Sequence, residues 1–268
     1  MSAPLEFSTK PKFLLVVLDS FLMIKRSSTH IMRNTDQLLG TFFQPIMFLV
    51  LFTAVYSGAI QTGTDASYTN FLMAGLIVQT LAFGSTTTAL AIANDMQKGI
   101  IDRFKSLPVS NLAVLNGHVV SDVLRNMLSA TVLIIAGLVI GFRPNADVAD
   151  WLLLVGLTIL LSLAFSWLSA ILGIVAKSVE GVQWMSFIFV FPLTFASSAF
   201  VNPEMMSSWL RVFAENQPIT HIVDTYRALL IGIPLDNSWW ISVLWLVGII
   251  VLAMPTAAYL FRKKQTTN

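Results

Sequence analysis

Six long windows of this chain carry no charge. Residues 37–64, 66–94, 126–142, 151–176, 181–203 and 237–261 contain no Asp, Glu, Lys, Arg or His, and they hold 28, 29, 17, 26, 23 and 25 residues. An apolar helix needs about 20 residues (range ~17–25) to cross a bilayer's hydrocarbon core, where backbone groups must be satisfied within the helix itself. The windows therefore predict an all-α integral membrane fold with six transmembrane helices. Composition agrees, since 56% of the 268 residues are hydrophobic and 11% charged, with a mean hydropathy of +0.76. A soluble domain carries roughly a quarter charged residues and is excluded. The whole of 1–268 reads as a single transmembrane domain.

The cations set the orientation. With a cytoplasmic N-terminus, 13 of the 16 Lys and Arg residues fall on the inner side, and only Arg143, Arg211 and Arg227 fall outside. The acidic residues divide evenly, so the bias is one of Lys and Arg, as the positive-inside rule requires. Both termini are expected in the cytoplasm. Before the first window, Phe13, Leu14, Val17, Leu18, Phe21 and Leu22 recur at helical spacing beside Lys12, Asp19, Lys25 and Arg26. That pattern predicts an amphipathic interfacial helix over 12–33.

Pro45, Pro192 and Pro255 fall inside spans one, five and six, where each removes a backbone hydrogen bond and kinks its helix. Trp151, Trp239 and Trp240 stand at outer span ends as headgroup anchors. Gly137 with Gly141, and Ser169 with Gly173, give small faces for close helix packing. The loop 202–238 is punctuated by Pro203, Pro218 and Pro234. Its apolar periodicity predicts two short helices at the outer surface, with Trp209, Phe213, Tyr226 and Leu229 as the residues of an outer gate and Glu204, Glu215 and Asp236 left wet.

Several chemistries are excluded. The chain has no cysteine, hence no disulfide or thiolate chemistry. His30, His118 and His221 are far apart in sequence and have no i, i+4 partner, so no metal site is expected. The charge-free windows offer no proton relay and no catalytic acid–base pair, so the chain is not expected to be an enzyme by itself. A phosphate-binding loop is missing, because no Gly-Lys dipeptide occurs. No cofactor is expected in this chain, and no nucleic-acid partner.

Between spans two and three lies a compact cytoplasmic segment, 95–110. Ile100, Ile101, Phe104 and Leu107 make one helical face, with Lys98, Asp102 and Lys105 elsewhere, and Pro108 ends the helix. Such an amphipathic helix suits insertion into a partner's groove. A helix lying flat on the headgroups is the alternative.

This segment, KGIIDRFKSLPVS from Lys98 to Ser110, resembles the cytoplasmic coupling signature of type-2 ABC transporter permeases, in the branch of daunorubicin-resistance-like multidrug exporters. The likeness extends along the chain, through NTDQLL (34–39), QPIMFLVLF (44–52), AKSVE (176–180), FPLTF (191–195), AFV (199–201), NQPIT (216–220) and YRALL (226–230). It departs at Gln97, where many relatives place a glutamate; Asp95 stands two residues earlier.

The resemblance implies a permease subunit of an ATP-driven exporter for hydrophobic or amphiphilic compounds such as drugs, antibiotics or lipids. It further implies a second permease chain and two separate nucleotide-binding ATPase subunits, which would hold ATP and magnesium. Lys98, Gly99, Ile100, Ile101, Asp102, Arg103, Phe104, Lys105, Leu107 and Pro108 would form the coupling contact. Spans two and five would line the path between the two chains, through Gln79, Phe83, Thr86 and Thr87 on one and Gln183, Phe187, Phe191 and Thr194 on the other. The competing readings are export of a cell-surface polysaccharide or lipid-linked precursor, and a membrane assembly or sensing subunit that transports nothing.

Overall fold

A computed structural model describes residues 35–56, 67–99 and 111–267. The expected interfacial helix at 12–33 and most of the coupling segment lie outside the described residues. Among those described, all regular structure is helical: α1 (Thr35–Tyr56), α2 (Tyr68–Gly84), α3 (Thr86–Gln97), α4 (Asn111–Ile140), α5 (Val148–Val175), α6 (Val179–Phe195), a 3-10 turn (Pro203–Met205), α7 (Ser208–Asn216), α8 (Pro218–Ile231) and α9 (Ser238–Thr267).

Four stretches are long and apolar enough to cross a membrane: Tyr68–Gln97, Ala113–Ile140, Val148–Val175 and Ser238–Lys264. Phe42–Val55 and Val179–Phe195 are apolar but shorter. The exterior and interior are inverted relative to a soluble protein. Leu244, Val251, Leu252 and Tyr259 on α9, Leu152 and Leu153 on α5, and Val139 on α4 are exposed, while Ser121, Asn126, Ser162, Ser166 and Thr194 are buried. Large exposed apolar belts of this kind meet lipid, and small polar residues inside let helices approach and bond.

α2 is the axis of the bundle. Its residues from Phe71 to Ala82 are buried, and it packs against α1, α4, α5, α6 and α8. Two close approaches depend on glycine. A β-carbon on Gly75 would lie 2.1 Å from the Ala199 carbonyl oxygen, and one on Gly173 would lie 2.5 Å from that of Ala89. The helix ends are satisfied locally. Asp147 and Asp150 form a capping box at the start of α5, and Ser178 accepts the Gly181 N–H at 3.0 Å at the start of α6. At the C-terminus of α5, the Lys264 ammonium at the end of α9 donates to the Ile174 carbonyl at 2.5 Å. A cation there suits the negative end of the helix dipole.

The structure corrects one boundary. The charge-free window put span three at 126–142, with Arg125 in the inner cation set, but the apolar helical stretch begins at Ala113. At 1.5 Å per residue Arg125 lies about 18 Å along that helix, near its midpoint. Asp122 and Arg125 thus lie within the long apolar helix rather than ahead of it. They are tolerated because they pair with each other, three residues apart on one helix face.

Candidate functional site

A groove of about 240 Å³ opens between α1 and the α2–α3 junction. Gln79, Thr80, Phe83, Gly84, Thr86 and Thr87 form one wall, and Gly40, Gln44, Pro45 and Phe48 form the other. The junction is made by the local sequence Gly-Ser-Thr-Thr-Thr, residues 84–88. Ser85 donates to the Leu81 carbonyl at 2.9 Å, Thr86 to Phe83 at 2.7 Å and Thr87 to Gly84 at 3.0 Å. Hydroxyls that bond carbonyls three and four residues back compete with the helical ladder and bend it. The backbone tightens there, with the Thr88 N–H bonded to the Ser85 carbonyl at 3.1 Å. Across the groove, Pro45 withholds an N–H from α1.

The walls mix the apolar Pro45, Phe48 and Phe83 with the uncharged polar side chains of Gln44, Gln79, Thr80, Thr86 and Thr87, a lining that suits an amphiphilic molecule. Gln79 is the distinctive group. It is 5% exposed, lines the groove, and no other described residue bonds its amide. The Thr86 hydroxyl hydrogen is already given to the Phe83 carbonyl, and the single one of Thr87 is shared between the Gly84 carbonyl and Asp122, so these residues present acceptors and methyls.

The four span-five positions stand elsewhere. Phe187 and Phe191 are exposed on α6, Gln183 is exposed nearer its start, and Thr194 is buried and donates to the Val190 carbonyl at 2.9 Å. What links the two sets is a file of rings. Phe48 meets Phe52 at 6.0 Å between ring centres, Phe52 meets Phe200 at 5.0 Å, and Phe200 meets Phe195 at 4.9 Å. Phe195 then meets Phe191 at 4.2 Å, and Phe191 meets Phe187 at 4.8 Å. The sequence reading noted Pro45 as a kink but did not assign Gln44, Pro45, Phe48, Phe52 or Phe200 to the path. Spacing within one helix could not reveal them, because the file joins separate elements.

At the other end of α2, the four expected gate residues do not come together. Trp209 is 76% exposed and Phe213 exposed on α7, whereas Tyr226 and Leu229 are buried on α8. The Tyr226 hydroxyl lies 2.8 Å from that of Thr158, and burial pushes its pKa up. Its neighbour Arg227 is held by three contacts. It donates to Asp224 at 2.8 Å and to the Ser198 carbonyl at 2.6 Å, and it stacks 3.8 Å from the centre of the Phe71 ring. Burial brings the Arg227 guanidinium down to about 10, against the opposing pull of Asp224.

Of the coupling residues, only Lys98 and Gly99 are described. They end α3, and Gly99 sits at φ +63°, a left-handed conformation that favours glycine. His118 is not simply solvated: its Nε2 lies 3.2 Å from an Asp95 carboxylate oxygen, tying α3 to α4 on either side of the 100–110 segment.

Comparison with known proteins decides the family. The family model described as "ABC-2 type transporter" matches residues 20–231. The chain belongs to the ABC-2 type transporter family. It is 30% identical to the daunorubicin resistance ABC transporter permease protein of Streptomyces coeruleorubidus, over 85% of this chain and 80% of that one. It is 22% identical to a probable doxorubicin resistance ABC transporter permease protein of Mycobacterium tuberculosis, over 94% and 91% of the two chains. With a putative transport permease of Cyanophora paradoxa it shares 24% identity over 80% and 74%. This ABC-2 chain is therefore a membrane-embedded permease, and its family implies an ATPase partner.

Proposed function

We propose that this permease is the membrane path of an ATP-driven exporter for hydrophobic or amphiphilic compounds, working as two permease chains with two separate ATPase subunits. Phe42–Val55 and Val179–Phe195 would complete six crossings, with the termini in the cytoplasm of a bacterial cell. The observation that carries this reading is the groove whose apolar walls, Pro45, Phe48 and Phe83, enclose the unbonded amide of Gln79. An amide that faces the groove is placed to bond a ligand's hydroxyl or carbonyl. The relatives named for daunorubicin and doxorubicin resistance support a cargo of that character. ATP binding in the partner would move 95–110, pull on α3, and shift the groove between two states. Phe187 and Phe191, exposed on α6, would face the second chain across the path.

Truncating Phe83 and Phe187 together to alanine tests the assignment. Each lost aromatic contact is worth ~1.5–3 kcal/mol, hence roughly tenfold or more in affinity. In assembled complexes that still hydrolyse ATP, the order of preference among amphiphiles is expected to change. An unchanged order would contradict the lining.

A further inference from the structure

Resting on the export reading, we propose that Asp122, Arg125 and Asn126 of α4 form an intramembrane latch that holds the α2–α3 junction and so sets the shape of the Gln79–Phe83 groove. These are positioning residues, acting through Gly84, Ser85 and Thr87. The bonds converge on the junction from one helix. Arg125 donates to the Gly84 carbonyl at 2.5 Å through one amino group and to the Thr87 hydroxyl through the other. It also pairs with Asp122. One Asp122 oxygen accepts from Thr87 at 3.1 Å, and the other accepts from Ser166 of α5 and from Asn126 at 3.4 Å. Asn126 reaches across to the Ser85 hydroxyl at 3.1 Å.

The location makes these bonds consequential. Asp122 is 2% exposed and Arg125 4% exposed, so neither charge meets water. A dry ion pair adds little net stability over apolar side chains of the same size, because desolvation offsets the attraction. Its geometry, by contrast, is strict: the guanidinium fork reaches two acceptors, Gly84 and Thr87, that also line the groove. The latch and the groove wall are therefore one object seen from two sides.

The closed latch is also incompletely satisfied. The Arg125 Nε and the Asn126 Oδ1 are buried without a hydrogen-bond partner. Two orphaned polar atoms lower the cost of releasing the network, which suits an element with two arrangements. Since α3 runs from this junction to Lys98 and Gly99, where the coupling segment begins, a pull on α3 must either carry the latch along or open it.

The test uses the permease–ATPase complex in lipid nanodiscs. The chain has no cysteine, so spin labels at Gln44→Cys and Thr86→Cys report the width of the groove. Ethidium-stimulated ATP turnover reports KM and kcat in the label-free chain. Asp122→Leu with Arg125→Met replaces the pair by apolar side chains of similar size. It is expected to broaden the distance distribution and to shift KM for ethidium by about tenfold, with a smaller change in kcat. Arg125→Lys keeps the charge but not the fork, and is expected to fall between parent and double variant.

Gly84→Ala provides an approach without any change of charge. Its β-carbon would meet Asn126 Oδ1 at 2.3 Å, wedging that side chain off Ser85, and it is expected to broaden the distribution as well. Parent-like distances in both the double variant and Gly84→Ala would overturn the latch. Broadened distances with no change in KM would overturn its link to the groove. If ethidium fails to stimulate even the parent complex, the export reading loses support while the distance measurement still decides the latch.

Discussion

Valine at Gly75 is expected to prevent recovery of a folded permease. The β-carbon would lie 2.1, 2.6 and 2.7 Å from the carbonyl oxygen, carbonyl carbon and Cα of Ala199, all backbone atoms that no rotamer change can move. Displacing residues 196–201 would pull Ser198 from Arg227 and Phe200 from the rings of Phe52 and Phe195. Overpacking of a tight core costs about 1–3 kcal/mol when side chains can adjust, and more when only backbone can. Gly156 and Gly248 supply controls, since a β-carbon on either meets nothing within 4 Å. Alanine there should stabilise its helix by roughly 0.5–1 kcal/mol. Thermal melts in detergent check both halves: Gly75→Val as stable as the parent would refute the close approach of α2 to Ala199.

Aspartate at Phe104 is expected to abolish coupled transport. By helical spacing, Phe104 is expected to share an apolar face with Ile100, Ile101 and Leu107. If the face enters the ATPase partner, the substitution forfeits ~1.5–3 kcal/mol of apolar burial. It also forces a carboxylate into a dry groove at a cost of several kcal/mol. Together these predict a loss of at least ~100-fold in coupled activity. Glu204→Ala, exposed in the 3-10 turn and outside 95–110, should change little, since exposed charges contribute about 0–1 kcal/mol. Co-purification and substrate-stimulated ATP turnover provide the readout. Intact assembly and transport with Phe104→Asp would show that 95–110 lies on the headgroups instead.

The sequence exposed the helices more fully than their bounds. Charge-free windows located every long apolar helix among the described residues, because the bilayer penalises charge over a length that a count can measure. The same rule failed at Arg125: counting between charges ended span three there, whereas a pair three residues apart, Asp122 and Arg125, can neutralise itself inside a helix. That spacing was the available signal. Gln79, Phe83, Thr86 and Thr87 were named through the family resemblance, because periodicity alone could not choose among the faces of an apolar helix. The groove's α1 wall and the ring file were not legible, because Pro45, Phe48, Phe52 and Phe200 come into register only through packing. The bend at Ser85 could have been read from five consecutive small and β-hydroxyl residues, 84–88. Gly173, noted for close packing, meets Ala89 within the same chain, so its small face is spent on α3.

The account stands on this chain being the path through which an ATPase partner drives amphiphiles across a membrane. Inside-out proteoliposomes holding the permease and that partner, loaded with DNA and given external ethidium, measure it directly. The account predicts ethidium fluorescence that rises only with hydrolysable ATP and disappears with Phe104→Asp. Vigorous ATP hydrolysis with the same ethidium uptake whether or not ATP is present, across amphiphiles of several shapes, would contradict it.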